Sequence, residues 1–270
     1  MQLNPRQSGL LEAVRERGSA TIDDLARRFG VTLQTVRRDV NLLARAGLVS
    51  RFHGGVRSEA STVENIAHLQ RQALNAEGKR RIAAAVARQI PDVCSLILNI
   101  GTTTEAVARA LLHHRGLRVI TNNLNVADIL AVNRDCEVIV AGGVMRAADR
   151  GIVGEATTEF IRQFKVDIGL IGISGIDADG TLRDYDLREV SVSRAIIAQS
   201  REVWLAADSS KYLRQAMVEV APVTCLSRFF TDQAPQPPLA RVLQRAGVSC
   251  EIAGPGASAL LNPVFPAAHS

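Results

Sequence analysis

Polar residues follow four short apolar runs in the C-terminal part of the chain. They are Gly101, Thr102, Thr103 and Thr104; Thr121, Asn122 and Asn123; Gly142 and Gly143; and Asp208 and Lys211. Backbone N–H groups at a helix N-terminus, hydroxyl groups and an ammonium group are donors that can hold a phosphate. We therefore expect these residues to bind an anion, although one Gly-Thr-Thr-Thr turn on its own is more often only a helix cap.

Two charged residues near these strand ends could add recognition chemistry. Lys211 is one of three lysines in the chain and lies close to Asp208, which indicates a point charge directed at an oxyanion. Glu189 follows a polar loop at 177–188 and could accept hydrogen bonds from sugar or polyol hydroxyls. The alternative is that Glu189 only favours the N-terminus of the helix that it begins.

The apolar runs alternate with helical patterns, as in a parallel α/β sheet. The spacing predicts strands over 95–100, 117–120, 137–140, 167–173, 202–206, 224–230 and 248–252, and helices over 105–112, 124–132, 187–199 and 239–245. Ligands of such sheets bind beyond the carboxyl ends of the strands. We therefore expect one doubly wound, Rossmann-like α/β domain that brings the polar residues together.

The first part of the chain has the pattern of a helix-turn-helix. Apolar residues recur at helical spacing from Pro5 to Gly18, from Thr21 to Gly30 and from Thr32 to about Gly47. Thr21 and Thr32 are suited to cap the second and third helices. Residues 48–56 alternate around a glycine pair, which predicts a β-hairpin wing and so a winged helix-turn-helix.

The outer surface of the third helix carries hydrogen-bonding and guanidinium side chains, and the wing adds basic residues. The candidate DNA-binding residues are Gln34, Thr35, Arg37, Arg38 and Asn41 in the helix, and Arg51 and His53 in the wing. Such side chains read base edges in the major groove or bind phosphate. An arginine pair alone would indicate only a solvated helix surface, but the spacing, the turn and the wing together favour a DNA-binding module.

The excess positive charge of the chain is confined to this module. Residues 1–57 hold ten arginines and five acidic residues, a net +5, which equals the formal net charge of the whole chain. A polyanionic partner is therefore expected. We predict a DNA-binding domain at 1–57, a linker at 58–76, a sensing domain at 77–253 and a disordered tail at 254–270.

Several classes of protein are not indicated. No apolar run has the length of a membrane span, and the N-terminus lacks a signal-peptide pattern, so we expect a cytoplasmic protein. Cys94, Cys136, Cys225 and Cys250 are far apart and form no CxxC pair. Neither a zinc site nor a disulfide framework is indicated, and we expect no metal and no cofactor.

Together, these motifs resemble the DeoR family of bacterial sugar-metabolism repressors, from the first helix to about Ala253. The residues that carry the resemblance are Thr35-Val36-Arg37-Arg38-Asp39, His53-Gly54-Gly55, Ile100-Gly101-Thr102-Thr103, Thr121-Asn122-Asn123, Ala141-Gly142-Gly143 and Asp208-Ser209-Ser210-Lys211. Longer strings, Thr121 to Ala127, Gly151 to Thr157 and Gly172 to Asp177, resemble the glycerol-responsive members of the family.

The resemblance implies an operator-binding repressor of glycerol uptake and catabolism genes that glycerol 3-phosphate releases from double-stranded DNA. It also implies a sensing domain of the ribose-5-phosphate isomerase and CoA-transferase type, and a homodimer or homotetramer. Three alternatives remain open: a repressor that responds to another sugar phosphate, a sugar-phosphate isomerase or deaminase with Glu189 or Asp208 as general base, and an architectural DNA binder.

Overall fold

The computed structural model describes residues 3–17, 19–46, 48–52, 54–58 and 68–254. The chain divides into two units, Met1–Gln70 and Arg71–Ser270. Across the described ranges, no helix is both long and apolar enough to cross a membrane. The predicted tail, apart from Gly254, lies outside the described residues.

The first unit contains three helices and a small antiparallel sheet. Its elements are α1 (Pro5–Arg17), β1 (Ser19–Thr21), α2 (Ile22–Phe29), α3 (Leu33–Arg45), β2 (Val49–Phe52) and β3 (Gly55–Ser58). The strand order is β1-β3-β2. Strand β1 was not predicted, because three residues between two helices carry too short a pattern to reveal a strand.

Both predicted helix caps of this unit are confirmed. The Thr21 hydroxyl accepts a hydrogen bond from the Asp24 N–H at 3.1 Å, and the Thr32 hydroxyl accepts one from the Thr35 N–H at 3.2 Å. Gly30 has φ 61° and ends α2, a conformation that favours glycine. Buried apolar residues from all three helices and from the sheet form one core beneath α3.

The second unit is an α/β domain. Its elements are α4 (His68–Ala73), which begins at the end of the first unit, α5 (Ala76–Gln89), β4 (Ser95–Leu98), α6 (Thr102–Ala110), β5 (Leu117–Thr121), α7 (Leu124–Leu130), β6 (Cys136–Val140), β7 (Val144–Met145), β8 (Ile152–Val153), α8 (Glu155–Arg162), β9 (Val166–Ile171), β10 (Gly175–Ile176), β11 (Thr181–Asp184), α9 (Leu187–Ala198), β12 (Ser200–Ala206), β13 (Val218–Pro222), β14 (Arg228–Thr231), α10 (Pro237–Arg245) and β15 (Ser249–Ile252).

The central sheet has seven parallel strands in the order β15-β14-β12-β9-β4-β5-β6. Successive side chains of a strand point to opposite faces. Accordingly, Ile97 packs into the core on one face of the sheet, and Leu96 and Leu98 pack into the core on the other. The predicted parallel sheet is therefore confirmed, with both faces covered.

A second, antiparallel sheet was not predicted. Strands β10, β11 and β13 form it in the order β10-β11-β13, and β11 lies within the segment predicted as a polar loop. The prediction of one doubly wound layer was incomplete, because β11 is short and its partner β13 is distant in sequence. The strand predicted at 224–230 is also wrong in part: Val223–Cys225 forms a 3₁₀ turn, and β14 begins only at Arg228.

The second unit begins before the boundary predicted for the sensing domain. Residues 71–76 belong to it, although they were assigned to a linker. Polar side chains hold them there: Gln72 donates to Glu105 at 3.1 Å, and Asn75 donates to Asp232 at 2.8 Å. A polar stretch without an apolar pattern resembles a linker in sequence, but here its polar groups are used within the fold.

Candidate functional site

Helix α3 presents the polar surface predicted for DNA recognition. Its buried face contains Val36 and Val40, whereas Gln34, Arg37 and Arg38 are exposed. The predicted DNA-binding residue Thr35 is half-buried, and its hydroxyl lies 2.9 Å from that of the capping residue Thr32. Because Thr35 contributes to the helix cap, the exposed arginines and Gln34 are the more available groups for a base or phosphate.

A buried carboxylate orients α3 against α1. Asp39 is 3% exposed and accepts hydrogen bonds from Arg6 Nε at 2.7 Å and Gln7 Nε2 at 3.1 Å. Burial alone would raise the pKa of Asp39, but these hydrogen bonds hold it below its ordinary value. Asp39 therefore links α1 to α3, a role that the sequence did not indicate.

The wing, formed by β2 and β3, contacts helix α3 directly. Arg51 of β2 donates from Nη1 to Oδ1 of Asn41 in α3, with the two atoms 2.5 Å apart. Both residues were predicted as DNA contacts, and the structure joins them to each other. His53, the remaining predicted contact, lies outside the described residues.

In the second unit, the predicted polar residues gather at the carboxyl ends of β4, β5, β6 and β12, but several serve the fold. The Thr104 hydroxyl donates to the backbone oxygens of Asn99 and Gly101, at 2.9 and 2.7 Å. The Thr121 hydroxyl donates to Leu98 O at 2.7 Å. These two hydroxyls hold the turn after β4 and are not free for a ligand. Thr102 and Thr103 are buried at the start of α6, where Gly101 is the N-cap residue.

The adjacent asparagines each use one half of the side-chain amide. Asn122 donates from Nδ2 to Ile152 O at 2.8 Å, and Asn123 accepts the Asn125 N–H on Oδ1 at 2.9 Å, capping α7. Among the described residues, Asn122 Oδ1 and Asn123 Nδ2 are buried without a hydrogen-bond partner. Buried polar atoms are rarely left unpaired, so one acceptor and one donor remain for a ligand.

The glycine pair after β6 has a conformational role. Gly143 has φ 147°, and a Cβ there would lie 2.1 Å from the Thr157 hydroxyl oxygen. That hydroxyl donates to Gly142 O at 2.9 Å. Glycine at 143 is therefore required by the close approach of α8 and by its backbone conformation, whereas a Cβ at Gly142 would meet no atom within 4 Å.

Four cationic side chains form a cluster. Two of them follow the carboxyl end of β12 in sequence, and the other two come from the first residues of the second unit. We call Arg71, Lys79, Lys211 and Arg214 the cation cluster. Burial lowers the pKa of Lys211 to about 7, and although Asp208 opposes this effect, the other three cations reinforce it. Like charges held together in a buried site disfavour their own ionisation, so this arrangement is suited to an anion.

Carboxylates and polar groups surround the cation cluster. Asp208 is fully buried; burial would raise its pKa, but Lys211 and Lys79 lower it below the ordinary value. Within the part of the chain that the structure describes, Asp208 Oδ2, Arg71 Nε and Ser210 Oγ are buried without a hydrogen-bond partner. Asn75 Nδ2 lies 3.4 Å from Asp208 Oδ1. Asp208 Oδ2, Arg71 Nε and Ser210 Oγ therefore add further unused donors and acceptors to the same region.

Sequence reasoning identified Lys211 and Asp208 but missed Arg71, Asn75 and Lys79. Arg71 and Asn75 lie in the supposed linker, and Lys79 in the helix that follows. Lys79 donates to the backbone oxygens of Arg71 and Leu74 and is 3% exposed. The scarcity of lysine was the available signal, because two of the three lysines are buried in this cluster.

Glu189 belongs to a carboxylate group around Arg146. Arg146 Nη2 lies 2.7 Å from Glu189 and 2.6 Å from Asp149, and Nη1 lies 3.0 Å from Asp186. Burial raises the pKa of Glu189 to about 8, and the nearby carboxylate of Asp184 adds to the rise, although Arg146 opposes it. Asp149 also pairs with Arg71 at 3.4 Å, which links this group to the cation cluster.

No set of three His, Cys, Asp or Glu side chains within the described ranges is arranged to hold a metal ion. The four cysteines are free thiols. Burial raises the pKa of Cys94 to about 11, with a smaller effect from Asp167. The unpaired buried groups of the site are nitrogen and oxygen atoms that can form hydrogen bonds.

Comparison with known proteins agrees with this division into two units. Residues 6–62 match the DeoR-like helix-turn-helix domain, and residues 74–233 match the DeoR C terminal sensor domain. The chain is 45% identical over 252 residues to the Glycerol-3-phosphate regulon repressor of Escherichia coli (strain K12), covering 93% of this chain and 100% of that protein. It is 43% identical over 241 residues to the HTH-type transcriptional repressor CsqR of the same organism, covering 89% of this chain and 92% of the relative.

A likeness to solved structures is more distant. Ribose 5-phosphate isomerase A from Methanocaldococcus jannaschii aligns over 52% of this chain and 56% of that one, with a TM-score of 0.38 and 14% identity. Such a likeness says nothing of activity. The two domain matches and the similarity to repressors over 93% of the chain show that it belongs to the DeoR family of DNA-binding transcriptional repressors.

Proposed function

We propose that this repressor controls genes of glycerol uptake and catabolism, and that glycerol 3-phosphate bound to the second unit weakens operator binding. We further propose that it has no enzymatic turnover, acts in the cytoplasm, and binds its operator as a homodimer or homotetramer. Helix-turn-helix proteins commonly bind two half-sites related by symmetry, which supports more than one copy on the DNA.

The observation that carries the proposal is the cation cluster. Burial, reinforced by the three neighbouring cations and opposed by Asp208, brings the pKa of Lys211 to about 7. A phosphate dianion would relieve that repulsion and accept hydrogen bonds from Lys211 and from the unpaired Arg71 Nε. The phosphate group of the effector is therefore assigned to this cluster.

The glycerol group of the effector needs hydrogen-bond donors and acceptors. Asp208 Oδ2, Asn122 Oδ1 and Asn123 Nδ2 are buried and have no hydrogen-bond partner among the described residues. An alcohol both donates and accepts, so it can satisfy an acceptor and a donor together. Glu189, as the sequence suggested, and Gly142 and Gly143 complete the candidate set, although Glu189 is already paired with Arg146.

The identity of the effector rests on relatives and on this chemistry together. A second Glycerol-3-phosphate regulon repressor, from Haemophilus influenzae, is 44% identical over 236 residues. CsqR, which is not named as a glycerol-3-phosphate regulon repressor, is almost as similar to this chain, with 43% identity. The similarity to both repressors supports a DeoR-type repressor, and a binding measurement tests the proposed effector.

Calorimetric titration of the full-length protein provides that measurement. We expect saturable binding of glycerol 3-phosphate, and no comparable binding of glycerol, fructose 1-phosphate or ribose 5-phosphate. Lys211→Ala should weaken binding by about tenfold or more, because a hydrogen bond to a charged group contributes about 1.5–3 kcal/mol. Lys165→Ala is the matched control, because Lys165 is exposed and lies just before β9, at the opposite end of the sheet.

The outcomes separate the parts of the proposal. Tighter binding of another sugar phosphate, still lost in Lys211→Ala, would replace the effector but keep the site. Equal loss in Lys165→Ala and Lys211→Ala would contradict the site. Glycerol 3-phosphate should also lower the affinity for an operator duplex; a rise in affinity would reverse the proposed direction of control.

The perturbed pKa values of Glu189 and Lys211 are the observation that favours an enzyme, because buried groups with such shifts are common in active sites. Incubation of the protein with each sugar phosphate, followed by product analysis, tests that candidate. Turnover that Glu189→Gln abolishes would establish an enzyme. We expect unchanged substrate in every case.

A further inference from the structure

One hydrogen bond between side chains, from Arg51 to Asn41, links the wing to helix α3. Arg51 is exposed on β2, and Asn41 is half-exposed in the third turn of α3. The two side chains meet through one hydrogen bond, from Nη1 of Arg51 to Oδ1 of Asn41, with the atoms 2.5 Å apart.

The chemistry of this pair fixes which way the amide points. A guanidinium group has five N–H donors and no acceptor. Only the carbonyl oxygen of Asn41 can therefore face Arg51, and the Nδ2 group must lie on the other side of the amide. A free asparagine side chain would rotate and exchange these two atoms, and that freedom would be lost on binding DNA.

Asn41 stands in line with the residues expected to read DNA. On a helix, residues that are three, four or seven positions apart lie on the same face. Asn41 is three residues after Arg38 and seven after Gln34, whereas Val36, Val40 and Leu43 point into the core. The amide that Arg51 orients is therefore on the surface of α3 that is predicted to face the major groove.

We propose that Arg51 is a positioning residue that holds the Asn41 amide in the orientation needed to read a base, and that it does not act as a phosphate contact. The wing then contributes to sequence specificity through the recognition helix. An asparagine recognises a base by its donor and acceptor together, so its orientation decides which base edge it fits.

The test compares base discrimination with salt dependence. The probe is a duplex that the wild-type full-length protein selects from random DNA, together with duplexes that carry single base-pair changes. Affinity is measured by fluorescence anisotropy at several salt concentrations for the wild type, Arg51→Ala, Asn41→Ala and the double variant. Arg27→Ala is the control for losing one positive charge from the same unit, because Arg27 is exposed on α2 and pairs with its neighbour Asp24.

We expect Arg51→Ala to reduce discrimination at one base pair by about three- to tenfold, a part of what a full bidentate contact provides. The slope of log affinity against log salt should match that of Arg27→Ala. In the Asn41→Ala background, removing Arg51 should cause no further loss of discrimination, because its only route to the base is gone.

Two results would overturn the assignment. A salt slope lower by about one per protomer in Arg51→Ala than in Arg27→Ala, with discrimination retained, would identify a phosphate contact. Additive effects of the two substitutions would show that Arg51 acts independently of Asn41. Thermal unfolding of each variant confirms that the first unit is folded, and Arg51→Gln, which keeps a donor but no charge, should retain discrimination.

Discussion

Binding of the effector should be linked to protonation of Lys211. In the free protein, burial and the other three cations bring the pKa of Lys211 to about 7, so about half of the molecules carry an uncharged amine at that pH. A bound phosphate dianion favours the charged ammonium and raises the pKa again. Complex formation must therefore take up a proton from solution, and affinity must fall as the pH rises above about 7.

The magnitude follows from the two protonation states. If only the charged form binds tightly, the apparent dissociation constant is inversely proportional to the charged fraction of Lys211. That fraction falls from about one half at pH 7 to about 3% at pH 8.5, so the dissociation constant should rise by roughly 15-fold. A phosphate monoester is already mostly a dianion in this range, since its second pKa is about 6. The ligand therefore contributes little to the slope.

Calorimetry in buffers of different ionisation enthalpy measures the proton directly. We expect uptake of about half a proton at pH 7 and almost one at pH 8. Lys211→Arg keeps its charge throughout and should show a flat profile, and Glu189→Gln should retain the wild-type slope, which excludes the other group that titrates near this range. A wild-type affinity independent of pH, with no proton uptake, would refute the reasoning even if glycerol 3-phosphate binds.

Three further substitutions test other parts of the structure. Arg38→Ala should weaken operator binding by about tenfold or more and leave effector binding unchanged, by anisotropy and calorimetry; loss of both would contradict two separate sites. Gly143→Ala should lower the free energy of unfolding by about 1–3 kcal/mol in urea, because of its positive φ and the Thr157 hydroxyl, whereas Gly142→Ala should be nearly neutral; equal effects would disprove the steric argument. Glu189 has a folded pKa near 8 against an ordinary 4.5, so the folded state holds its proton between these values and stability should fall as the pH rises from about 5 to 8. Glu189→Gln should flatten this decline, by up to about 1.4 kcal/mol per pH unit; an unchanged profile would exclude Glu189 as its source.

Local features of the fold could be predicted, because short-range chemistry determines them. The hydroxyls of Thr21 and Thr32 cap their helices as expected. Each accepts a hydrogen bond from an N–H group only three residues further along the chain. The polar strand ends were also identifiable, since parallel strands deliver their carboxyl ends to one edge of a sheet.

Features that depend on distant partners could not be predicted. Leu182 pairs with Ala221 in the antiparallel sheet, and nothing near Leu182 in the sequence reveals that partner. The type of a residue also does not show where its polar atoms point. Thr104 and Thr121 looked like ligand-binding hydroxyls, but both donate to backbone oxygens. Arg71 looked like part of a linker, but it belongs to the cation cluster.

The strand order has a consequence for how the protein is made. The central strand β9 begins at Val166, after the three strands on one flank, β4, β5 and β6, and before the three on the other. On the ribosome, all residues of the first unit, Met1–Gln70, are made before β4, but β4 must wait for its inner neighbour β9 until about 70 more residues have been synthesised. During that interval the edge of β4 that pairs with β9 has no partner strand. Ile97, which the finished protein buries completely, also lacks most of its core neighbours, since these lie at residue 166 and beyond. Chaperone demand during synthesis should therefore fall on the sensor domain, and on the half-sheet formed before β9 emerges.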